Sequence, residues 1–274
     1  MLSKLQTCPQ LHGIDFTSAP SRRKPITIAS GTLHGETWQL ESLQRLPDFS
    51  SFTTWLNQPG PWLAAFDLPF SLPRELIEQL GWSTNWLEMI THFSALQRAE
   101  IRLQFKQFCD TRAVGNKFAH RAADAPAGSS PSMKWVNPPV AYMLHAGVPL
   151  LLDAGVTLFG MHSGDPQRIA LEGYPGMVAR SITRDSYKSD DRSKQTPARR
   201  AAREQIVQRL EQGDYRFGIR LSAGIFRTDL LDDASGDLLD AVLCGLLAAW
   251  AWQRRETRYG LPEFDPLEGW IVGA

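Results

Sequence analysis

Four acidic residues stand where apolar stretches meet their turns. Asp15 lies in Leu11-His12-Gly13-Ile14-Asp15-Phe16, Asp67 closes Leu63-Ala64-Ala65-Phe66-Asp67, Glu172 closes Ile169-Ala170-Leu171-Glu172, and Asp240 sits within Leu238-Leu239-Asp240-Ala241. A carboxylate in an apolar element is costly to bury unless something pairs with it. Carboxylates that converge from several such elements repel one another, and divalent cations relieve the repulsion. Hard oxygen ligands select Mg²⁺ or Mn²⁺. Two such ions about 3.5–4 Å apart activate water and stabilise a leaving oxygen in phosphodiester hydrolysis. Asp15, Asp67, Glu172 and Asp240 are therefore the candidate catalytic and metal-binding set. Asp233, Asp237 and Asp240 fall at i, i+4 and i+7, on one face if the helix extends that far.

Basic residues offer phosphate contacts. Lys188, Arg192, Lys194, Arg199, Arg200 and Arg203 follow Glu172 within a short span. Most of such a run is expected to be a solvated face, with Arg200 and Glu204 as i, i+4 partners. Lys188, beside Tyr187, is the best substrate contact, and Arg121 and Lys134 flank a loop from which they could reach substrate. His145 and His162 read as structural. Asp232 and Asp233 read as acids complementing a helix N-terminus.

Elements must deliver these acids to one place. Residues 11–17, 25–30 and 36–43 read as three consecutive strands with short links, an antiparallel meander. Residues 48–57 read as a helix ending at Gln58-Pro59-Gly60-Pro61. A helix between strands makes a crossover, so residues 62–67 should join the sheet parallel to the first strand. Residues 73–166 form a mostly helical insertion that covers a sheet edge. Within it, residues 122–132 read as a mobile loop, and a helix over residues 138–153 is interrupted at Pro149. Residues 168–172 form the fifth strand. Pro175 and Thr196-Pro197 open helices, and residues 214–226 are ambiguous. A strong helix over residues 237–257 carries the stripe Leu239, Leu243, Leu246 and Trp250.

With 274 residues, 43% hydrophobic and 21% charged, the chain has the composition of an ordinary globular domain. Its 29 basic and 29 acidic residues balance, which argues against a non-specific DNA coater but not against a local basic groove. Cys8, Cys109 and Cys244 form neither a disulfide framework nor a zinc knuckle by spacing, and Cys244 reads as core. The first six residues lack the apolar run of a leader. Residues 138–161 contain His145, Pro149 and Asp153, and residues 241–252 fall short of the roughly 20 needed for a span. A cytoplasmic protein without a membrane partner is expected.

The order of elements and the motifs Gly13-Ile14-Asp15-Phe16-Thr17, Phe66-Asp67-Leu68-Pro69-Phe70-Ser71-Leu72-Pro73, Leu171-Glu172-Gly173-Tyr174-Pro175-Gly176 and Asp237-Leu238-Leu239-Asp240-Ala241-Val242 resemble an uncharacterised family described as predicted nucleases of the ribonuclease H-like fold. The resemblance runs from Gly13 to Trp270. It implies a single α/β domain, 1–274, with a mixed five-stranded sheet flanked by helices and the helical insertion after strand four. It also implies Asp15, Asp67, Glu172 and Asp240 as ligands, Asp237 as accessory, and nucleic acid as partner. Thr17-Ser18-Ala19-Pro20 departs from the Gly-rich turn that follows the first acid in many relatives. Two alternatives stand beside this reading. One is an actin-like ATPase or phosphotransferase, whose first phosphate loop Gly13-Ile14-Asp15-Phe16-Thr17 also resembles; residues 165–274, however, contain no Asp-Gly pair and offer Glu172-Gly173 instead. The other is a non-catalytic scaffold of the same fold.

Overall fold

Strand β1 (Gln10–Asp15) is followed by β2 (Ile26–His34), β3 (Thr37–Leu46), helix α1 (Phe49–Leu56) and strand β4 (Trp62–Asp67). Helices α2 (Arg74–Gln79), α3 (Trp86–Ala95), α4 (Arg98–Asp110), α5 (Asp124–Ala127) and α6 (Val140–Asp153) come next. Then follow β5 (Val156–Leu158), β6 (Asp165–Glu172), α7 (Pro175–Arg180), α8 (Pro197–Gln212), β7 (Arg220–Ser222), α9 (Arg227–Asp232) and α10 (Asp237–Gln253). This computed structural model describes residues 8–274. The reading of residues 1–6 as free of a leader lies outside the described residues.

Seven strands form one mixed sheet in the order β5-β6-β4-β1-β2-β3-β7. The meander is antiparallel through β1, β2 and β3, and β4 runs parallel to β1, as the crossover through α1 requires. β6 extends the sheet parallel to β4. The expected five strands are thus present, and two three-residue strands extend the edges. β5 pairs with β6, and β7, inside the stretch read as ambiguous, pairs parallel to β3. Three residues are too few to show an alternation in sequence.

Local signals set the helix ends. Asp48 and Asn85 accept backbone N–H groups from Ser51 and Glu88, capping α1 and α3. Thr196 caps α8, with Pro197 at its first position. Asp233 lies outside α10 and accepts the N–H of Leu238, so it caps that helix.

Strand alternation gives the sheet two apolar faces. One buries Leu11, Leu63, Ala65 and Leu171 against α10, α8 and α7. The other buries Ile14, Ile28, Phe66 and Ala170 against α1 and the insertion, where Phe93, Phe105, Leu144 and Val148 close the core. The insertion therefore covers a face of the sheet as well as the expected edge, where its strand β5 pairs with β6. Two further expectations change. α6 runs unbroken through Pro149, because Leu144, Val148 and Leu151 on either side are packed into the core. Residues 122–132 are not a bare loop: they contain α5 and bury Asp124 and Ser132.

α10 lies directly on β1, and two glycines permit it. A Cβ on Gly13 would stand 2.0 Å from the carbonyl oxygen of Ala241 and 2.0 Å from the amide nitrogen of Gly245. A Cβ on Gly245 would stand 2.3 Å from the Trp38 ring. Backbone meets backbone at Gly13, so no side chain can move aside. Gly13→Ala should therefore cost about 3 kcal/mol or more in urea unfolding. A loss under about 1 kcal/mol would show that this contact does not set the helix position.

Candidate functional site

Asp15 and Asp67 are the last residues of neighbouring parallel strands, and they are register partners. Register partners in a sheet point to the same face, here the face that carries α10. Asp240, fully buried in the first turn of α10, completes the cluster. The helix is fastened beside it by Thr27, the register partner of Asp15, whose hydroxyl donates to the Asp237 carbonyl at 2.8 Å. Asp15 and Asp240 are buried, and Asp67 is half-buried.

One ammonium is set among these acids. Lys188 Nζ donates to Asp240 Oδ2, and the Tyr187 hydroxyl donates to Asp240 Oδ1. The loop that carries both residues is held from α8. Arg203 donates to the Tyr187 carbonyl at 2.7 Å, and Arg199 donates to the Lys188 carbonyl. Two members of the basic run thus position the loop instead of facing solvent. Arg200 pairs with Asp232 at 3.0 Å, not with Glu204.

The charges do not balance. Burial, reinforced by Asp240 and Asp237, pushes the Asp15 carboxyl well above its ordinary value. Burial and Asp240 push Asp67 up to about 7. Lys188 is held firmly charged by the carboxylates of Asp240 and Asp15. Three carboxylates against one ammonium leave excess negative charge, and proton uptake by Asp15 and Asp67 relieves it in the absence of another cation.

The remaining expected residues are placed differently. Glu172 is the register partner of Phe66, one residue short of Asp67, so its side chain leaves the sheet on the opposite face. There its carboxylate accepts the Phe70 N–H at 2.9 Å and two Arg121 N–H groups at 2.7 and 2.5 Å. Arg121, expected at the substrate, is only 3% exposed and also pairs with Asp124 at 3.0 Å. The expected four-acid set therefore divides into three acids together and Glu172 apart, because strand alternation sends adjacent residues to opposite faces. Glu172 and Asp67 still line the same cavity. Asp237 pairs with Lys24 at 2.8 Å instead of joining Asp240. Lys134 is not among the residues that line the cavity beside Asp67. His145 bonds the Leu96 carbonyl at 2.9 Å and meets Phe93 edge-on, in agreement with a structural role.

Among the described residues, no three histidine, cysteine, aspartate or glutamate side chains are grouped to hold a metal ion as they stand. The side chains that could hold one are Asp15, Asp67 and Asp240. Their oxygen chemistry and excess charge suit a hard divalent cation, and Lys188 already stands among them as a cation. Its side chain is 43% exposed, so it has room to withdraw. Sequence reasoning missed Lys24, Tyr174, Arg180 and Arg184 around the site. Lys24 belongs to the basic turn Arg22-Arg23-Lys24, and Arg180 and Arg184 stand four apart shortly after Glu172. No protein-family model, curated protein or solved structure matches the chain. No helix of the described residues is long and apolar enough to cross a membrane.

Two outcomes follow from the charge imbalance. Asp67 ionises in the unfolded chain near 3.8 but in the fold only near 7. Between these values the folded state holds the extra proton, so stability falls as pH rises through that window. At about 1.4 kcal/mol per pH unit the loss is on the order of 4 kcal/mol. In metal-free buffer the melting temperature should drop from pH 5 to pH 7.5, and Asp67→Asn should flatten that drop; parallel profiles would contradict the assignment. Lys188→Met removes the resident cation. It should melt earlier in chelator yet bind Mn²⁺ roughly tenfold more tightly by calorimetry. Unchanged or weaker binding would show that Lys188 does not compete with a metal.

Proposed function

We propose that this chain is a Mg²⁺- or Mn²⁺-dependent nuclease of the ribonuclease H-like fold, hydrolysing phosphodiester bonds at Asp15, Asp67 and Asp240. The observation that carries the reading is the meeting of these three acids at one sheet end with more negative charge than Lys188 balances. The arrangement β3-β2-β1-β4-β6, with β2 antiparallel to its neighbours, supports the fold assignment, as does the motif resemblance. So does the origin of the acids, two from central strand ends and one from the helix packed across them.

Each residue then has a task. Asp15, Asp67 and Asp240 would hold the divalent ions, which supply water activation and stabilisation of the leaving oxygen. Lys188 would release Asp240 on loading and turn its ammonium towards a substrate phosphate. Tyr187 would keep one oxygen of Asp240 oriented through its hydroxyl. Glu172 and Arg121 would form a rigid wall of the same cavity, since each neutralises the other. Lys24 would play that part for Asp237 outside the reacting cluster.

A scaffold without catalysis is the second reading. It is favoured by one observation: Asp240, Asp237 and Glu172 already have cationic partners within the chain. One experiment separates the two. Single-stranded, duplex and branched DNA and RNA are incubated with Mn²⁺ and the wild-type or Asp15→Asn protein. The nuclease reading expects metal-stimulated cleavage that Asp15→Asn reduces by at least about a hundredfold, with an unchanged circular dichroism spectrum. Equal cleavage by both proteins, or none by the wild type on any substrate, would overturn it.

A further inference from the structure

A cavity of about 430 Å³ opens beside Asp67. One wall is the turn from β6 into α7, with Gly173, Tyr174 and Pro175. Further lining comes from the insertion, through Pro138, Val140 and Met143. Pro69 and Ile271 add further apolar surface, so the interior is mostly apolar and partly aromatic. The Tyr174 ring is backed by the Arg180 guanidinium, 5.1 Å from its centroid. Arg180 is itself fixed to the Ala127 and Gly128 carbonyls at 2.8 and 3.1 Å.

Charge is distributed unevenly around this interior. Lys188, Arg180 and Arg184 lie along the side of the cavity nearest α7 and the loop after it, with Asp185 beside them. Glu172 is neutralised by Arg121 and Asp185 is exposed to solvent, so the more deeply set unbalanced acid of the cavity is Asp67, at the candidate reacting centre. An apolar, aromatic-walled recess lined by exposed cations, with Asp67 of the acid cluster in its wall, matches a nucleotide in three parts. A base fits the recess, a phosphate meets the cations, and the adjoining phosphodiester reaches the acids. The volume suits one small-molecule-sized unit, not a continuous groove. A paired base inside a helix cannot enter such a recess without leaving its stack.

We propose that this cavity receives one unpaired nucleotide of the substrate, so that the protein acts on single-stranded or frayed nucleic acid. The proposal rests on the nuclease reading for the identity of the ligand, but binding tests it without cleavage. Tyr174 supplies the stacking face, and Arg184 and Lys188 supply the phosphate contacts. Base-on-aromatic stacking is indifferent to base identity, so the cavity selects for strandedness before sequence.

The test is fluorescence anisotropy in Ca²⁺ with labelled oligonucleotides of about 12 residues. The probes are single-stranded DNA, single-stranded RNA, and the blunt duplex of each sequence. The wild-type protein should bind at least one single strand about tenfold more tightly than its duplex, and the DNA and RNA arms show which sugar is taken. Tyr174→Ala and Arg184→Ala should each weaken single-strand binding at least about fivefold. Tyr174→Phe, which keeps the ring, should retain it. Melting curves identify any variant that fails to fold, and the wild-type strand preference then decides alone. Equal binding of duplex and single strand, binding of neither, or full affinity in folded Tyr174→Ala would overturn the proposal. Cleavage without strand preference would discard the cavity assignment and leave the nuclease reading. Strand preference without cleavage would do the reverse.

Discussion

The arrangement turns on crowding of like charge. Asp15, Asp67 and Asp240 share the end of a sheet with one ammonium, that of Lys188. Water cannot screen buried carboxylates as it screens surface ones, so each raises the cost of ionising the next. The cluster has two ways out: it takes up protons, or it takes up a cation of higher charge. Protonation is what the upward shifts of Asp15 and Asp67 describe in the metal-free chain. A fold gains no stability from such a cluster, since well-packed apolar residues would serve better. Asp124 and Glu172, by contrast, pair with the buried Arg121, and this contrast is the physical ground for assigning the three-acid cluster work.

The rest of the architecture holds that crowding in place. Gly13 and Gly245 let α10 settle on β1 with no intervening side chain, which sets Asp240 beside Asp15. Thr27 ties the first turn of the helix to β2, and Asp233 caps it. On the other side of the cluster, Arg199 and Arg203 grip the backbone of the loop that carries Tyr187 and Lys188. The insertion is locked to the sheet by the buried set Arg121, Asp124 and Glu172, with the Glu268 carboxylate accepting the Ala122 N–H at 2.9 Å. Fixed walls around one movable lysine are what a site needs if loading is to involve little rearrangement.

Much of this could be read from residue order. Asp15 and Asp67 each belong to an apolar strand, and the helix before the second strand gave its parallel direction; that the two strands are neighbours came from the resemblance in element order, and the pairing of β1 with β4 agrees with it. Asp240 stood out because it lies between leucine and alanine, past the position a capping acid requires. Glu172 was harder. Whether it shares a face with Asp67 depends on a one-residue difference in register, and strand sequences do not reveal register. The partner of Arg121 was equally hidden, since Glu172 lies 51 residues away in the chain. Lys188 was legible as a cation near the site, but not as the partner of Asp240, because the loop path that brings it there is set by Arg199 and Arg203 on a different helix.

Diffraction from crystals grown at pH 8 and soaked in millimolar Mn²⁺, recorded at the manganese absorption edge, tests the central claim most directly. The account predicts anomalous density bonded to carboxylate oxygens of Asp15, Asp67 and Asp240 at about 2.2 Å, with the Lys188 ammonium moved off Asp240. Lys188 still on Asp240, with no anomalous density between the three acids, would contradict it.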